Sequence, residues 1–126
     1  MSWQSYVDTN LVGTGSIAEA AIHGHNGAVW ATSKGFTVNS AEFDTIIKAF
    51  NDPTNIQANG LHVNGVKYFT LRADDRSIYG KEGANGIVIV KTKQAAIIGR
   101  YVEGTQPGTA NKIVESLADY LINQNY

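Results

Sequence analysis

Residues 86–101 read GIVIVKTKQAAIIGRY. Two runs inside this stretch, IVIV at 87–90 and AAII at 95–98, are apolar at every position. A strand with one wet face alternates apolar and polar residues, so a continuous run predicts a strand covered on both faces. The sheet that holds these strands therefore needs helical layers on both sides.

The remaining segments supply the other strands and their covers. Asn26-Gly27 separates runs at 17–25 and 28–33, and Asn64-Gly65 separates 61–63 from 66–72. Asn-Gly between two such runs is a strong hairpin signal, because both residues tolerate the positive φ that a tight turn requires. A further strand is expected at 77–81, and the two apolar runs extend to strands at 86–92 and 94–101. A helix is expected after Ser40 as cap, with Phe43, Ile46, Ile47 and Phe50 on one stripe and Asn51-Asp52-Pro53 as its end. The last helix follows Pro107-Gly108 with Thr109 as cap, and Ala110, Ile113, Val114, Leu117, Ala118 and Leu121 form its apolar stripe. The fold class is α+β, a central antiparallel sheet of about six or seven strands between helical layers. No internal repeat or long linker divides residues 1–126, so one domain is expected.

The ends of the chain are aromatic, with Trp3 and Tyr6 near one and Tyr120 and Tyr126 near the other. Ser2 can cap a first helix in which Trp3, Tyr6, Val7, Asn10 and Leu11 follow helical spacing, and Gly13 and Gly15 stop it. Val7 and Leu11 are then expected to face the core while Tyr6 and part of Trp3 stay available. A helix also buries aromatics in its own core, and spacing alone does not separate the two readings. Trp30 favours an open platform. Strand alternation sets its side chain opposite Val29 and Ala31, over the small residues Ala28 and Thr32. Tryptophan and tyrosine grouped in this way suit a proline-rich ligand, whose polyproline II helix is stiff before it binds.

Composition and motifs exclude several classes. With 43% hydrophobic and 17% charged residues the chain is globular rather than disordered. It has no cysteine, which removes disulfides and thiolate chemistry and suits the cytosol. The opening MSWQSYVD lacks the basic and apolar regions of a signal peptide. His23 and His25 share a strand face without a third ligand at a telling spacing, and are expected to be surface histidines. Gly80, Gly83 and Gly86 match no phosphate-binding loop. No cofactor and no catalytic residue is expected. The net charge is −1, yet residues 67–93 hold six cations against three carboxylates, leaving the rest at −4. A basic segment in a mildly acidic chain fits an acidic partner surface better than nucleic acid. Arg72, Arg76 and Tyr79 cluster in LRADDRSIYG, although Asp74 and Asp75 can pair with the two arginines internally.

Three stretches carry a family likeness. The opening MSWQSYVDTNLVGTG, the central LRADDRSIYGKEGANGIVIVKTKQAAIIGRY and the ending QPGTANKIVESLADYL resemble profilin, in its amoebal and fungal form. The resemblance implies N- and C-terminal helices on one face of the sheet and further helices on the other. It implies a cytoplasmic, non-enzymatic protein of the actin cytoskeleton that binds monomeric actin one to one and promotes nucleotide exchange on it. Proline-rich proteins such as formins are the second implied partner, and the phosphoinositide PIP2 at the membrane surface the third. Carried onto this chain, the polyproline groove falls on Trp3, Tyr6, Trp30, Tyr120 and Tyr126. The actin face falls on Lys67, Thr70, Arg72, Arg76, Tyr79, Lys81, Asn111, Lys112 and Glu115. Phosphoinositide contact falls on Arg72, Arg76, Lys81 and Lys91. The alternative is a small adaptor or sensor domain of the same sheet-between-helices shape, which would want a cavity in the sheet face.

Overall fold

The computed structural model describes residues 2–126. The N-terminal helical segment begins as α1 (Trp3–Ser5), widens into a π-helical stretch (Tyr6–Leu11) and closes in a 3₁₀ turn (Val12–Thr14). Seven strands follow in one antiparallel sheet: β1 (Glu19–Gly24), β2 (Val29–Thr32), β3 (Leu61–Val63), β4 (Val66–Ala73), β5 (Ser77–Glu82), β6 (Asn85–Lys91) and β7 (Ala95–Tyr101). Their spatial order is β2-β1-β7-β6-β5-β4-β3. Helices α2 (Ser40–Ala49) and α3 (Thr54–Asn59) lie between β2 and β3 in sequence, and α4 (Pro107–Asn123) follows β7.

The continuous apolar runs do what their composition requires. Val88, Val90, Ala95 and Ile97 pack with Val7 and Leu11 and with Val114, Leu117 and Leu121 of α4. Ile87, Ile89, Ala96 and Ile98 point the other way, onto Phe43 and Ile46 of α2 and Ile56 of α3. All eight strand residues are fully buried. The two terminal helical segments thus share one layer and α2 and α3 form the other. At Gly99 the backbone itself makes room for α4, since a Cβ there would lie 2.8 Å from Val114 Cγ2.

Several boundaries differ from the sequence reading, each for a local reason. The cap of α2 is Asn39, not Ser40: its side chain accepts from Glu42 N while Glu42 Oε1 accepts from Asn39 N, a reciprocal capping box. Helix α4 starts at Pro107, where a missing N–H costs nothing, rather than after Thr109. Helix α3 has a single buried apolar residue, Ile56, and so left no periodic signal. The first helix is not regular α beyond Ser5, although Ser2 caps it and Val7 and Leu11 are buried as their spacing required.

The histidine pair departs further. His23 is buried and stacked on Phe43 at 4.9 Å between ring centroids. Burial holds its pKa below the ordinary 6.5, so it sits neutral in the layer under α2. His25 Nε2 lies 3.0 Å from Ala95 O. Neither is a free surface histidine. Strand β1 is covered on both faces like its neighbour β7, so its residues cannot be assigned to solvent from polarity alone.

Glu42 also ties the layers together. It is buried, and besides Asn39 N its carboxylate accepts from Asn64 N at 3.0 Å and Gly65 N at 2.8 Å, clasping the β3–β4 turn. Glu42→Ala leaves three part-buried N–H groups without this acceptor and is expected to cost about 2–3 kcal/mol in urea unfolding. Glu42→Gln, which keeps one carbonyl acceptor, should lose clearly less. Equal losses in the two variants would mean that the charged carboxylate with both its oxygens, not one acceptor, holds the turn.

Candidate functional site

The five sequence-predicted aromatics meet. Trp3 is the hub: its ring centroid lies 4.6 Å from Trp30, 5.0 Å from Tyr126 and 5.6 Å from Tyr6. Tyr120 joins through Tyr6 at 6.1 Å. The contacts are tilted or edge-on, the arrangements that the charge distribution of aromatic rings favours. Trp3, Tyr6 and Trp30 are half-buried, while Tyr120 and Tyr126 are 47% and 43% exposed. The result is an open aromatic shelf on the edge where the two terminal helical segments meet β2. Burial in this cluster and the nearby Tyr120 hydroxyl hold the Tyr6 phenol above its ordinary pKa of 10.0, so it remains a donor.

Trp30 reaches the shelf by a route that simple alternation does not describe. Ile22 pairs with Ala31 and His23 with Val29, so Trp30 is the extra residue of a β-bulge. Trp30 and Ala31 consequently pack on the same layer, and Thr32, paired with Ala21, turns to the other. The floor beneath the indole is therefore not Ala28 and Thr32. It is Gly24, where a Cβ would lie 2.9 Å from Trp30 Nε1. Gln4 Nε2 donates to Thr32 O at 3.0 Å and fixes α1 against the same strand.

Two residues absent from the sequence-predicted groove position Tyr126. Thr92 Oγ1 donates to the main-chain oxygen of Tyr126 at 2.8 Å, and the Gln94 N–H donates to that oxygen as well. Both sit on the short β6–β7 connection. Thr92 is buried, so Thr92→Val keeps the shape and removes the hydroxyl, which also accepts from Ala95 N at 3.0 Å within the same connection. The variant is expected to bind decaproline about threefold more weakly, from one lost hydrogen bond to a shelf residue, as read by tryptophan fluorescence. Unchanged affinity would mean that the Gln94 contact suffices.

The cationic residues occupy a different surface. Helix α4 packs over β6 and β7 and reaches β5 only at Ser77 and Tyr79 through Glu115, while Lys81 of β5 and Phe69 and Arg72 of β4 stay exposed. Phe69 pairs with Lys81 and Arg72 with Tyr79 across these strands. The Arg72 guanidinium lies 5.8 Å from the Tyr79 ring centroid and bonds Asp74 Oδ2 at 3.0 Å. Hydrogen bonds from Ser77 N and Arg76 N, then Arg72, hold the Asp74 carboxyl below its usual pKa. Arg76 pairs not with Asp75 but with Asp119 of α4, at 2.7 Å. Glu115 accepts from Tyr79 OH at 2.7 Å and Ser77 Oγ at 3.1 Å. Burial and that carboxylate raise the Tyr79 pKa, so the phenol stays a donor to Glu115.

The remaining residues of this set are scattered. Lys67 lies 5.7 Å from the Phe69 ring centroid. Thr70 donates to Ile56 O at 2.6 Å on the α3 side, behind the sheet. Asn111 is half-buried on α4 and Lys112 exposed beside it. Lys91 ends β6 on the strand face of Ile87 and Ile89, with its N–H donating to Arg76 O. The most exposed apolar side chains near the cations, Phe69 at 68% and Leu71 at 62%, were not singled out by the sequence reading. Their signal was present: an i, i+2 apolar pair between Lys67 and Arg72, on a strand whose Tyr68 and Thr70 already serve the inner face. Among the described residues no three His, Asp or Glu side chains group to hold a metal, and no helix is long and apolar enough to cross a membrane.

Comparison with known proteins matches the chain and its fold to one family. The profilin family model matches residues 1–126. The chain belongs to the profilin family. It is 58% identical to profilin-1B of Acanthamoeba castellanii over 126 residues, all of both chains. The crystal structure of Acanthamoeba castellanii profilin II is 56% identical with a TM-score of 0.97, over 99% of this chain and 100% of that one. Mouse profilin IIa, solved in complex with a double repeat from the FH1 domain of mDia1, is 26% identical with a TM-score of 0.83 over the full length of both. Profilins are actin-binding regulators, and the seven-stranded sheet between two helical layers is the profilin fold.

Proposed function

We propose that this protein binds one actin monomer through the exposed residues of β4 and β5 beside α4 and the start of α4, and holds a proline-rich segment on the aromatic shelf. The observation that carries this reading is the meeting of Trp3, Tyr6, Trp30, Tyr120 and Tyr126 in a member of a family whose mouse relative was solved with an FH1 repeat. Stiff polyproline ridges fit between tilted rings, and indole N–H and phenol O–H groups donate to the ligand's free carbonyls. Formins are the class of partner that presents such segments. On the actin side Arg72 and Lys81 supply charge, Phe69 and Leu71 supply the apolar area that the cations surround, and Lys112 stands at the border with the groove that leads to the aromatic shelf. Glu115 serves by orienting Tyr79 beneath Arg72.

The effect on actin is population shift rather than bond chemistry: a monomer held in a more open state releases its nucleotide faster. Arg72, Arg76 and Lys81 attract a multiply phosphorylated inositol head group, whereas Lys91 lies on the opposite strand face; Arg72 and Lys81 are common to both partners, so PIP2 and actin exclude each other. The working compartment is the cytoplasm. Both tryptophans stand on the shelf, so decaproline should change intrinsic tryptophan emission saturably while the same protein accelerates nucleotide release from monomeric actin. A silent fluorescence titration removes the shelf reading, and unchanged nucleotide release removes the actin reading.

A further inference from the structure

The aromatic shelf does not end at Tyr6 and Tyr120. A groove of about 820 Å³ runs on from them, between the N-terminal helical segment and α4, toward the start of α4. Its floor is apolar. Leu117 is buried there, and Ile113 is only half-buried although it belongs to the apolar stripe of its helix. Asn10, Thr14, Thr109 and Ser116 line it with small polar groups, and Lys112 lies toward the end away from the shelf, about two helical turns from Tyr120.

The charge at that end is uncompensated. Lys112 forms no ion pair among the described residues. The carboxylates on α4 face away from the groove and are engaged: Asp119 bonds Arg76, and Glu115 bonds Tyr79 and Ser77. Lys112, Ser116 and Tyr120 follow one another at four-residue spacing, so they form a single line along the helix. Eight residues of helix rise about 12 Å, the length of about four residues of polyproline II.

From this continuity and this charge we infer that the groove is a second subsite for the chain that flanks a bound proline-rich segment. It takes an apolar side chain over Ile113 and Leu117 and an acidic side chain at Lys112, about four residues beyond the prolines. The inference rests on the aromatic shelf being the proline site.

Capped peptides test it: ten prolines alone, ten prolines followed by Gly-Leu-Ala-Glu, ten prolines preceded by Glu-Ala-Leu-Gly, and both tailed forms with Lys in place of Glu. Affinities are read by tryptophan fluorescence as ratios to plain decaproline within each protein. One Glu-tailed peptide should bind wild type about fivefold tighter than decaproline, and its Lys counterpart should not. In Lys112→Glu the preference should pass to the Lys tail. In Ser116→Phe, where a ring fills the groove, the tailed and plain peptides should bind alike. Tailed peptides within twofold of decaproline, or a Glu-tail gain that survives Lys112→Glu, would overturn the subsite and leave the shelf standing. If folded wild-type protein does not bind decaproline at all, the shelf reading fails and the subsite with it.

Discussion

Trp3→Ala is expected to weaken decaproline binding at least about thirtyfold and to leave affinity for monomeric actin within about twofold. Trp3 touches three of the four other shelf aromatics, so its removal takes away a ring and the support of its neighbours together. A central, half-buried tryptophan is the type of residue on which binding energy concentrates. The fold should survive, because Val7 and Leu11 are fully buried and anchor the helical segment, and Gln4 still bonds Thr32 O. The aromatic contacts of Trp3 are with Tyr6, Trp30 and Tyr126, none of which belongs to the Arg72 face. Isothermal titration with each partner, alongside a thermal unfolding curve, checks the result. A large loss of both affinities in a folded variant would refute the separation of the two faces.

Arg72→Glu is the complementary change. It should weaken actin binding at least about thirtyfold, with decaproline affinity within about twofold of wild type. Reversal does more than remove one cation. It sets a carboxylate beside Asp74, which now pairs with Arg72 at 3.0 Å, and it removes the guanidinium from the Tyr79 ring. Asp74 keeps its hydrogen bonds from Arg76 N and Ser77 N, so the turn between β4 and β5 should hold. Tyr79 keeps Glu115. Wild-type actin affinity in this variant would place the actin surface elsewhere. Arg72→Lys, which keeps the charge without the planar fork, should fall between the two.

The layered fold was legible because it rests on a periodicity. Residues 87–90 and 95–98 had to be covered on both faces, and Val88 and Ile87 do divide between the α4 layer and the α2 layer. Asn64-Gly65 marked its turn because positive φ is intrinsic to those residue types; the two φ angles are 52° and 78°. What failed lacked such a local cause. Helix α3 has one buried residue and no stripe. Asn39 outcompeted Ser40 as a cap because Glu42 stands three residues further on and reaches back.

The candidate site divides the same way. That the chain carries Trp3, Tyr6, Tyr120 and Tyr126 near its two ends could be read from the sequence, while spacing left open whether they are core or platform. That they meet around Trp3 could not, since the terminal segments are brought side by side only by packing on the same sheet face, one over β1 and β2 and the other over β6 and β7. The bulge at Trp30 is invisible in the one-dimensional pattern, because an extra residue changes which face follows without changing composition. The same holds for Thr92, whose hydroxyl finds Tyr126 across 34 positions of chain.

By itself, then, the chain determined its layers, its turns and the kinds of side chain available for binding, because each depends on neighbours within a few residues. Only the tertiary structure decided which of those side chains share a surface. The aromatic ends became one shelf because the helices that carry them pack on the same sheet face. Arg72 and Lys81 became a separate face because α4 reaches only Ser77 and Tyr79 of β5 and leaves the outward residues beyond them exposed. Lys112 was left unpaired at the end of a groove because the acids of its own helix are turned toward the sheet.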